Sequence, residues 1–337
     1  MNLEQNISLT AFPKPKLHFG DRLIEAIKAK GNPVCVGLDP RLSLIPEHIK
    51  RAVIQKTNDG FEGAANVFLE FNKGIIDAVA DLVPCVKPQI AFYEQFGFHG
   101  MWAFEKTCKY AEDKGLIVIA DVKRNDIGST AEAYANAYLG EVEVFDEALP
   151  GLNVDAVTVT PYLGYDGIKP FTKACREFGK GIFVLLKTSN PSSGDLQDQI
   201  LDEKVADGFG AEGRMKNYEL MAHLIDSWGA DDIGESGYGF VGAVVGATYP
   251  KQAAELRALL PNTIFLVPGY GAQGGGAADV KPCFNDDGLG VIVNSSRGIT
   301  FAYKDEEYAK NYPPHAYDQA ARAATLTMIN DLKVVIG

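Results

Sequence analysis

The sequence predicts an α/β protein, a closed (β/α)8 TIM barrel with helical insertions. Eight short apolar runs recur along the chain and are separated by segments long enough for helices. Runs that are apolar on both faces are typical of parallel strands covered by helices on both sides. Nearly every run ends in polar or ionisable residues, and in a barrel those carboxyl ends meet at one mouth. An open doubly wound sheet has the same alternation and is the alternative fold.

The predicted strands extend from the first tenth of the chain almost to its end. We therefore expect residues 1–337 to form one barrel domain, with an N-terminal extension at about 1–17. Length does not contradict this, because α/β barrels routinely exceed two hundred residues as single units. In order, the runs are PVCVGLD near Val34, CVKPQI near Val86, LIVIADV near Val118, DAVTVT near Val157, GIFVLLK near Val184, FVGAVVGAT near Val244, TIFLVPG near Phe265 and LGVIVNSS near Val291.

Two of the segments between strands, 41–83 and 192–239, are longer than one crossover helix requires. We expect both to be helical insertions. The second contains a polar, glycine-bearing stretch before a helical pattern, and a mobile cover over the barrel mouth is one interpretation. An inert surface loop is the other.

Composition and charge restrict the possible function. Of the 337 residues, 46% are hydrophobic and 23% are charged, which is ordinary for a globular protein. The formal net charge of −12 argues against a general nucleic-acid-binding protein, which needs a basic surface to neutralise phosphates. A single nucleotide remains compatible with this charge if a local cluster of donors and cations holds its phosphate.

Neither membrane nor metal patterns occur in the sequence. The chain opens without the basic start and apolar stretch of a signal peptide, and no run approaches the length of a membrane span. The five cysteines are scattered and predict buried thiols in a cytoplasmic protein. The five histidines lack metal-ligand spacing, so we expect no metal. No glycine pattern typical of nicotinamide or nucleoside triphosphate binding is present.

Ionisable residues cluster at the ends of the second and third predicted strands. Asp121 and Lys123 follow the third strand and are predicted to point to the same side, because side chains alternate along a strand; Asp126 lies in the turn beyond. A surface ion pair is the plain alternative. Lys87 ends the preceding strand in apolar surroundings, where its ammonium requires carboxylate neighbours. Neighbouring barrel strands would therefore place Lys87 beside Asp121 and Lys123.

Glycine-rich loops follow the seventh and eighth predicted strands, where such barrels recurrently bind phosphate. Residues 267–276 form the first loop, and residues 294–298, with Arg297, form the second. Backbone N–H groups in such loops can approach a dianion, and Arg297 adds a forked permanent charge. The two loops together predict a phosphate site, whereas one alone would indicate a flexible turn. Asp39 and the segment 188–191 suit ribose hydroxyls and a base edge, although each alone is typical of a turn or a cap.

In combination, these motifs resemble one family, the longer-chain branch of the orotidine 5′-phosphate decarboxylases. Asp121-x-Lys123-x-x-Asp126-Ile127 is similar to the family's signature, and the resemblance covers roughly residues 18–335. The other matching segments are Gly37-Leu38-Asp39, Val86-Lys87-Pro88-Gln89, Thr188-Ser189-Asn190-Pro191, Pro268-Gly269-Tyr270-Gly271-Ala272-Gln273 and Asn294-Ser295-Ser296-Arg297-Gly298.

The resemblance implies a cofactor-free enzyme that converts orotidine 5′-phosphate to uridine 5′-phosphate and CO2 in pyrimidine synthesis. It implies a charged catalytic tetrad of Lys87, Asp121, Lys123 and Asp126, with Lys123 as proton donor to C6. It also implies a homodimer in which Asp126 and Thr130 reach the neighbouring subunit's site. The implied substrate contacts are Asp39 with ribose, Ser189 with the pyrimidine and Gln273 and Arg297 with the 5′-phosphate, together with Thr188 and Ser296.

Two other functions are compatible with these residues. Related barrels use an Asp-x-Lys strand end in metal-dependent sugar-phosphate decarboxylases or synthases, where Mg²⁺ holds an enediolate. A non-catalytic nucleotide-binding regulator on a retained barrel is the second. Resistance to a chelator and the presence of turnover would distinguish the cofactor-free enzyme from both.

Overall fold

A computed structural model describes residues 17–54, 59–209, 214–271 and 276–336 and confirms the predicted barrel. Its barrel strands follow the predicted runs. They are β1 (Val34–Leu38), β2 (Cys85–Pro88), β3 (Ile117–Arg124), β6 (Ala156–Val159), β7 (Gly181–Lys187), β8 (Val241–Val245), β9 (Phe265–Val267) and β10 (Val291–Ser295), and a separate hairpin contains β4 (Glu141–Val144) and β5 (Glu147–Pro150).

The eight barrel strands close in the order β1-β10-β9-β8-β7-β6-β3-β2, and every neighbouring pair is parallel. Closure is visible at β1, where Cys35 pairs with Cys85 of β2 on one side and with Asn294 of β10 on the other. An open sheet has two edge strands with one neighbour each, whereas each of these eight strands has two, so the alternative fold is excluded. The carboxyl ends of all eight strands therefore surround one mouth.

Helices alternate with the barrel strands, as the segment lengths predicted. The two longest pack against each other through the stacked rings of Phe71 and Tyr317, whose centroids are 5.1 Å apart. Arg322 of the second also forms an ion pair with Asp81, which lies just beyond the end of the first. The helices are α1 (Phe19–Lys30), α2 (Glu47–Ile54), α3 (Gly60–Val79), α4 (Ala91–Glu94), α5 (Gly97–Asp113), α6 (Gly128–Tyr138), α7 (Tyr165–Phe178), α8 (Gly194–Gln197), α9 (Glu203–Gly208), α10 (Asn217–Gly229), α11 (Pro250–Leu259), α12 (Ala277–Val280), α13 (Arg297–Thr300), α14 (Glu306–Ala309) and α15 (Tyr317–Ile336).

Both long segments contain helices, as expected. Residues 41–83 include α2 and α3, and residues 192–239 include α8, α9 and α10. The hairpin of β4 and β5 was not predicted, although β4 alternates glutamate and valine as an exposed strand does. All five cysteines are buried and free. Across the described ranges, no helix combines the length and the apolar character needed to cross a bilayer.

Candidate active site

The carboxylate of Asp121 is the centre of a charged cluster at the barrel mouth. Its Oδ2 accepts hydrogen bonds from Lys87 Nζ and Gln89 Nε2, both at 2.8 Å. Its Oδ1 accepts from Lys123 Nζ at 2.5 Å and from Thr158 Oγ1 at 2.9 Å. Lys87 and Asp121 are buried, whereas the Lys123 side chain is 45% exposed. One of the two ammonium groups therefore remains accessible from the mouth.

Opposite charges keep the buried members of this cluster ionised. Burial alone raises the pKa of Asp121, but Lys87 and Lys123 outweigh it, and the pKa lies below its ordinary value. Burial alone lowers the pKa of Lys87, but Asp121 and Asp39 hold it above its ordinary value. Both groups are thus charged at neutral pH, which is the arrangement that a preorganised electrostatic site requires.

Asp121 and Lys123 lie on a segment of β3 whose pairing with β6 is irregular, and we call this irregular segment the bulge. The pairing of β3 with β6 shifts register between Ala120 and Arg124, and Lys123 has a left-handed backbone with φ 46°. The Thr158 hydroxyl accepts hydrogen bonds from the amides of Val122 and Lys123 at 3.0 and 2.9 Å. The two side chains meet, as expected, in the hydrogen bond of Lys123 Nζ with Asp121 Oδ1, on a segment that is not a regular strand.

Asp39 follows β1 on the same mouth. Its Oδ1 is buried without a hydrogen-bond partner among the described residues. Burial raises the pKa of Asp39, which the charge of Lys87 and a hydrogen bond with the Ser296 hydroxyl oppose. Gly37 permits this proximity, since a Cβ there would overlap the Ser296 hydroxyl. The first strand and the loop after β10 therefore meet at a carboxylate with an unused acceptor.

Ser296 and Arg297 begin the segment after β10, beside the loop that follows β9. Val293 of β10 pairs with Val267 of β9, so the two loops leave neighbouring strands. Arg297 is exposed and opens α13. The expected phosphate contact Gln273 lies outside the described residues.

The end of β7 is held by the start of the second insertion. Gln197 donates from Nε2 to Thr188 Oγ1 at 2.8 Å and accepts from the Thr188 amide at 3.0 Å. Lys187 is fully buried, and its Nζ donates to both carboxylate oxygens of Asp198 at 3.0 Å. These contacts fix the segment that carries Thr188 and Ser189, so this part of the insertion supports the mouth directly.

Asp126 and Thr130 do not join the cluster in this chain. Asp126 Oδ1 accepts a hydrogen bond from the adjacent Ile127 amide at 2.8 Å. Among the described residues it makes no hydrogen bond or ion pair with Lys87, Asp121 or Lys123. Thr130 is exposed in the first turn of α6. The structure thus brings together three of the four predicted tetrad residues.

The sequence pattern did not single out Gln89 or Thr158, although both bind Asp121. Gln89 lies two positions after Lys87, so in an extended segment both side chains point to the same side, and this spacing could have identified Gln89. Thr158 was less accessible to prediction, because a threonine inside a buried strand resembles an ordinary β-branched core residue.

The arrangement presents an accessible ammonium beside a fixed anion. Such an ammonium can stabilise a developing carbanion and donate a proton to it. An adjacent carboxylate raises the energy of a bound anionic group that is about to depart. Within the ranges that the structure describes, no group of three or more His, Cys, Asp and Glu side chains is placed to hold a metal ion.

Comparison with known proteins identifies close relatives. The sequence model of the Orotidine 5′-phosphate decarboxylase / HUMPS family matches residues 32–312. The orotidine 5′-phosphate decarboxylase of Rhodopirellula baltica is 47% identical over 315 residues, which cover 94% of this chain and 99% of that protein. That of Caldicellulosiruptor bescii is 45% identical over 86% and 91% of the two chains. The solved OMP decarboxylase of Leishmania donovani superposes with a TM-score of 0.68 at 30% identity, over 95% of this chain and 99% of that one.

Proposed function

The chain belongs to the Orotidine 5′-phosphate decarboxylase / HUMPS family, and we infer from this membership that it is a carboxy-lyase. Its reaction is the decarboxylation of orotidine 5′-phosphate in pyrimidine synthesis. We further propose that no cofactor takes part, that Lys123 donates the proton to C6, and that each active site is shared between two subunits.

The observation that carries this proposal is the Asp121 carboxylate, which accepts four hydrogen bonds while the Lys123 ammonium stays accessible. When CO2 leaves, the electrons of the broken C6–C bond remain at C6 as a carbanion. The Lys123 ammonium stabilises this charge and transfers a proton to C6, and the neutral amine then regains a proton from solvent. One cation thus supplies both the charge and the proton that the reaction requires.

Asp121 has two roles in this mechanism. It holds the Lys123 ammonium in place through the 2.5 Å hydrogen bond, and it carries a negative charge beside the substrate carboxylate. Repulsion between these anions disappears as CO2 forms, so it raises the energy of the bound substrate more than that of the transition state. Lys87 keeps Asp121 ionised throughout.

The remaining residues are proposed to orient the nucleotide. Asp39 has a buried acceptor without a partner in the described chain, which a ribose hydroxyl would satisfy. Ser189 and Thr188 at the end of β7 would contact the pyrimidine. Arg297, with Ser296 and Gln273, would hold the phosphate, whose binding energy can be used to orient the reacting ring.

Asp126 supports the proposal of shared sites, because it stands apart from the cluster of its own chain. In a symmetric dimer it would complete the partner subunit's cluster, accompanied by Thr130. The exposure of the neighbouring Ile127 side chain, 54%, fits a surface that a second chain covers.

The role of Lys123 is tested with two substitutions and one control. Lys123→Ala should abolish decarboxylation while uridine 5′-phosphate still binds, since the phosphate contacts remain. Lys123→Arg retains a positive charge, but a guanidinium hardly releases its proton, so it should also be inactive. Lys173→Ala, which removes an exposed lysine paired with Glu132, should leave the rate unchanged. Wild-type turnover by Lys123→Ala would contradict the assignment.

A further inference from the structure

We propose that Thr158 is a positioning residue of the active site. Its hydroxyl fixes both the Asp121 carboxylate and the backbone bulge that carries Lys123. The inference rests on the proposed function, because the reactivity of Lys123 is what this positioning serves. Thr158 belongs to β6, whereas the groups that it holds belong to β3.

The geometry at Thr158 uses the full hydrogen-bonding capacity of a hydroxyl. Thr158 is 1% exposed, and its Oγ1 accepts from the amides of Val122 and Lys123 and donates to Asp121 Oδ1. The three donor–acceptor distances lie between 2.9 and 3.0 Å. A hydroxyl has one hydrogen and two acceptor lone pairs. No other hydrogen bond is left for this side chain to make.

Because the Thr158 hydroxyl makes all three of its possible hydrogen bonds, the direction of its O–H bond is fixed. Both lone pairs face backbone N–H groups, which can only donate. The single hydrogen must therefore point to Asp121 Oδ1, and that oxygen must act as an acceptor. Thr158 thus holds Asp121 in the orientation in which the same oxygen also accepts from Lys123 Nζ.

The hydroxyl also stabilises the bulge itself. In a regular parallel ladder, strand amides donate to carbonyls of the neighbouring strand, but the register shift between Ala120 and Arg124 interrupts this pairing. A buried amide without a partner costs about 1–3 kcal/mol. The left-handed backbone of Lys123 is a further cost that persists only where the surroundings hold it. By binding both amides, Thr158 offsets these costs.

The test compares three Thr158 variants with one matched control. Thr158→Val keeps the shape of the side chain and removes the hydroxyl, Thr158→Ser keeps the hydroxyl, and Thr158→Ala removes it with less steric demand. Thr325→Val is the control, because Thr325 is also fully buried, and its one hydrogen bond among the described residues goes to the Ala321 carbonyl of its own helix, α15. Each variant is assayed for kcat, for KM with orotidine 5′-phosphate, and for binding of uridine 5′-phosphate.

We expect Thr158→Val to lower kcat by about 100-fold, the scale of a displacement of about 1 Å in a reacting group. KM and product binding should stay close to wild type, because the phosphate contacts are untouched. Thr158→Ser should recover most of the lost rate, and Thr325→Val should lose none. Wild-type kcat in Thr158→Val or in Thr158→Ala would overturn the proposal. An equal loss of kcat in Thr158→Val and Thr158→Ser would overturn it as well. Thr158→Ala serves if Thr158→Val does not fold.

A second readout does not depend on turnover. Amine labelling with acetic anhydride, followed by peptide mass spectrometry, measures how readily Lys123 reacts. Loss of the Thr158 hydroxyl should free Lys123 from Asp121 and raise its labelling rate several-fold in Thr158→Val, but not in Thr158→Ser. An unchanged labelling rate would refute the positioning role. Absence of decarboxylation by the wild type would instead refute the proposed function, so the two failures are distinguishable.

Discussion

Replacing Asp121 by asparagine should destabilise the protein more than replacing Lys87 by methionine. In Asp121→Asn, the ammonium of Lys87, which is 5% exposed, loses the carboxylate that binds it at 2.8 Å. Removing one partner of a buried ion pair costs about 3–5 kcal/mol, because an uncompensated charge remains. In Lys87→Met, Asp121 keeps its other three donors, so the loss should be about 1.5–3 kcal/mol, the scale of one hydrogen bond to a charged group.

Urea unfolding at pH 7, at one fixed protein concentration, measures these differences. The double variant should be destabilised by less than the sum of the single variants, because it leaves neither charge alone, and such couplings amount to about 0.5–3 kcal/mol. A strictly additive double variant would refute the reasoning. So would an Asp121→Asn variant that is no less stable than Lys87→Met.

The ion pair of Asp121 and Lys87 also predicts how the difference in the free energy of unfolding between wild type and Asp121→Asn depends on pH. The pKa of Asp121 is lower in the folded state, so its stabilisation is complete above its ordinary pKa of about 4 and is lost as pH falls through the folded value. The pKa of Lys87 is raised, so its stabilisation is complete below its ordinary pKa of about 10.4 and is lost as pH rises through the folded value. Between about pH 5 and 9 the contribution of this pair to the stability of the wild type should therefore stay constant. In Asp121→Asn, burial lowers the pKa of Lys87 without Asp121 to oppose it, so the folded variant should release this proton as pH rises and gain stability. Urea unfolding should therefore show the difference between wild type and Asp121→Asn becoming smaller toward pH 9, and a difference that grows with pH would contradict this account.

Two further predictions concern the nucleotide and the dimer. Arg297→Ala should weaken uridine 5′-phosphate binding by about 1.5–3 kcal/mol, the worth of a charge-assisted contact, whereas calorimetry with uridine should show no difference between variant and wild type. Equal binding of uridine 5′-phosphate by both proteins would mean that Arg297 is placed wrongly. In the second experiment, inactive Lys123→Ala and Asp126→Ala homodimers are mixed in equal amounts and allowed to exchange subunits. Half of the resulting dimers contain one chain of each kind, and each of these has one intact active site out of two. The mixture should therefore regain about a quarter of wild-type activity. If verified exchange restores nothing, the sites are not shared.

The barrel and the core of the site were predictable because their determinants are periodic in the sequence. Buried parallel strands require continuous apolar runs, and the ionisable residues Lys87, Asp121 and Lys123 at their ends stand out against that background. Strand order then follows from the alternation of strands and helices, which predicts that Lys87 meets Asp121.

The supporting interactions were not predictable in this way. Thr158 acts through one hydroxyl across two strands, and the register shift that brings it to the Lys123 amide leaves no mark in the sequence. The ion pair of Lys187 with Asp198 was likewise not predicted. Such contacts depend on where an insertion folds back, which local patterns do not encode.

The central claim is that this chain decarboxylates orotidine 5′-phosphate without a cofactor. The most direct test incubates purified, chelator-treated protein with orotidine 5′-phosphate, follows the loss of orotate absorbance and quantifies the products. We predict one uridine 5′-phosphate and one CO2 for each substrate consumed, at a rate that neither the chelator nor added Mg²⁺ changes. Absence of uridine 5′-phosphate, or its formation only after Mg²⁺ is supplied, would contradict the claim.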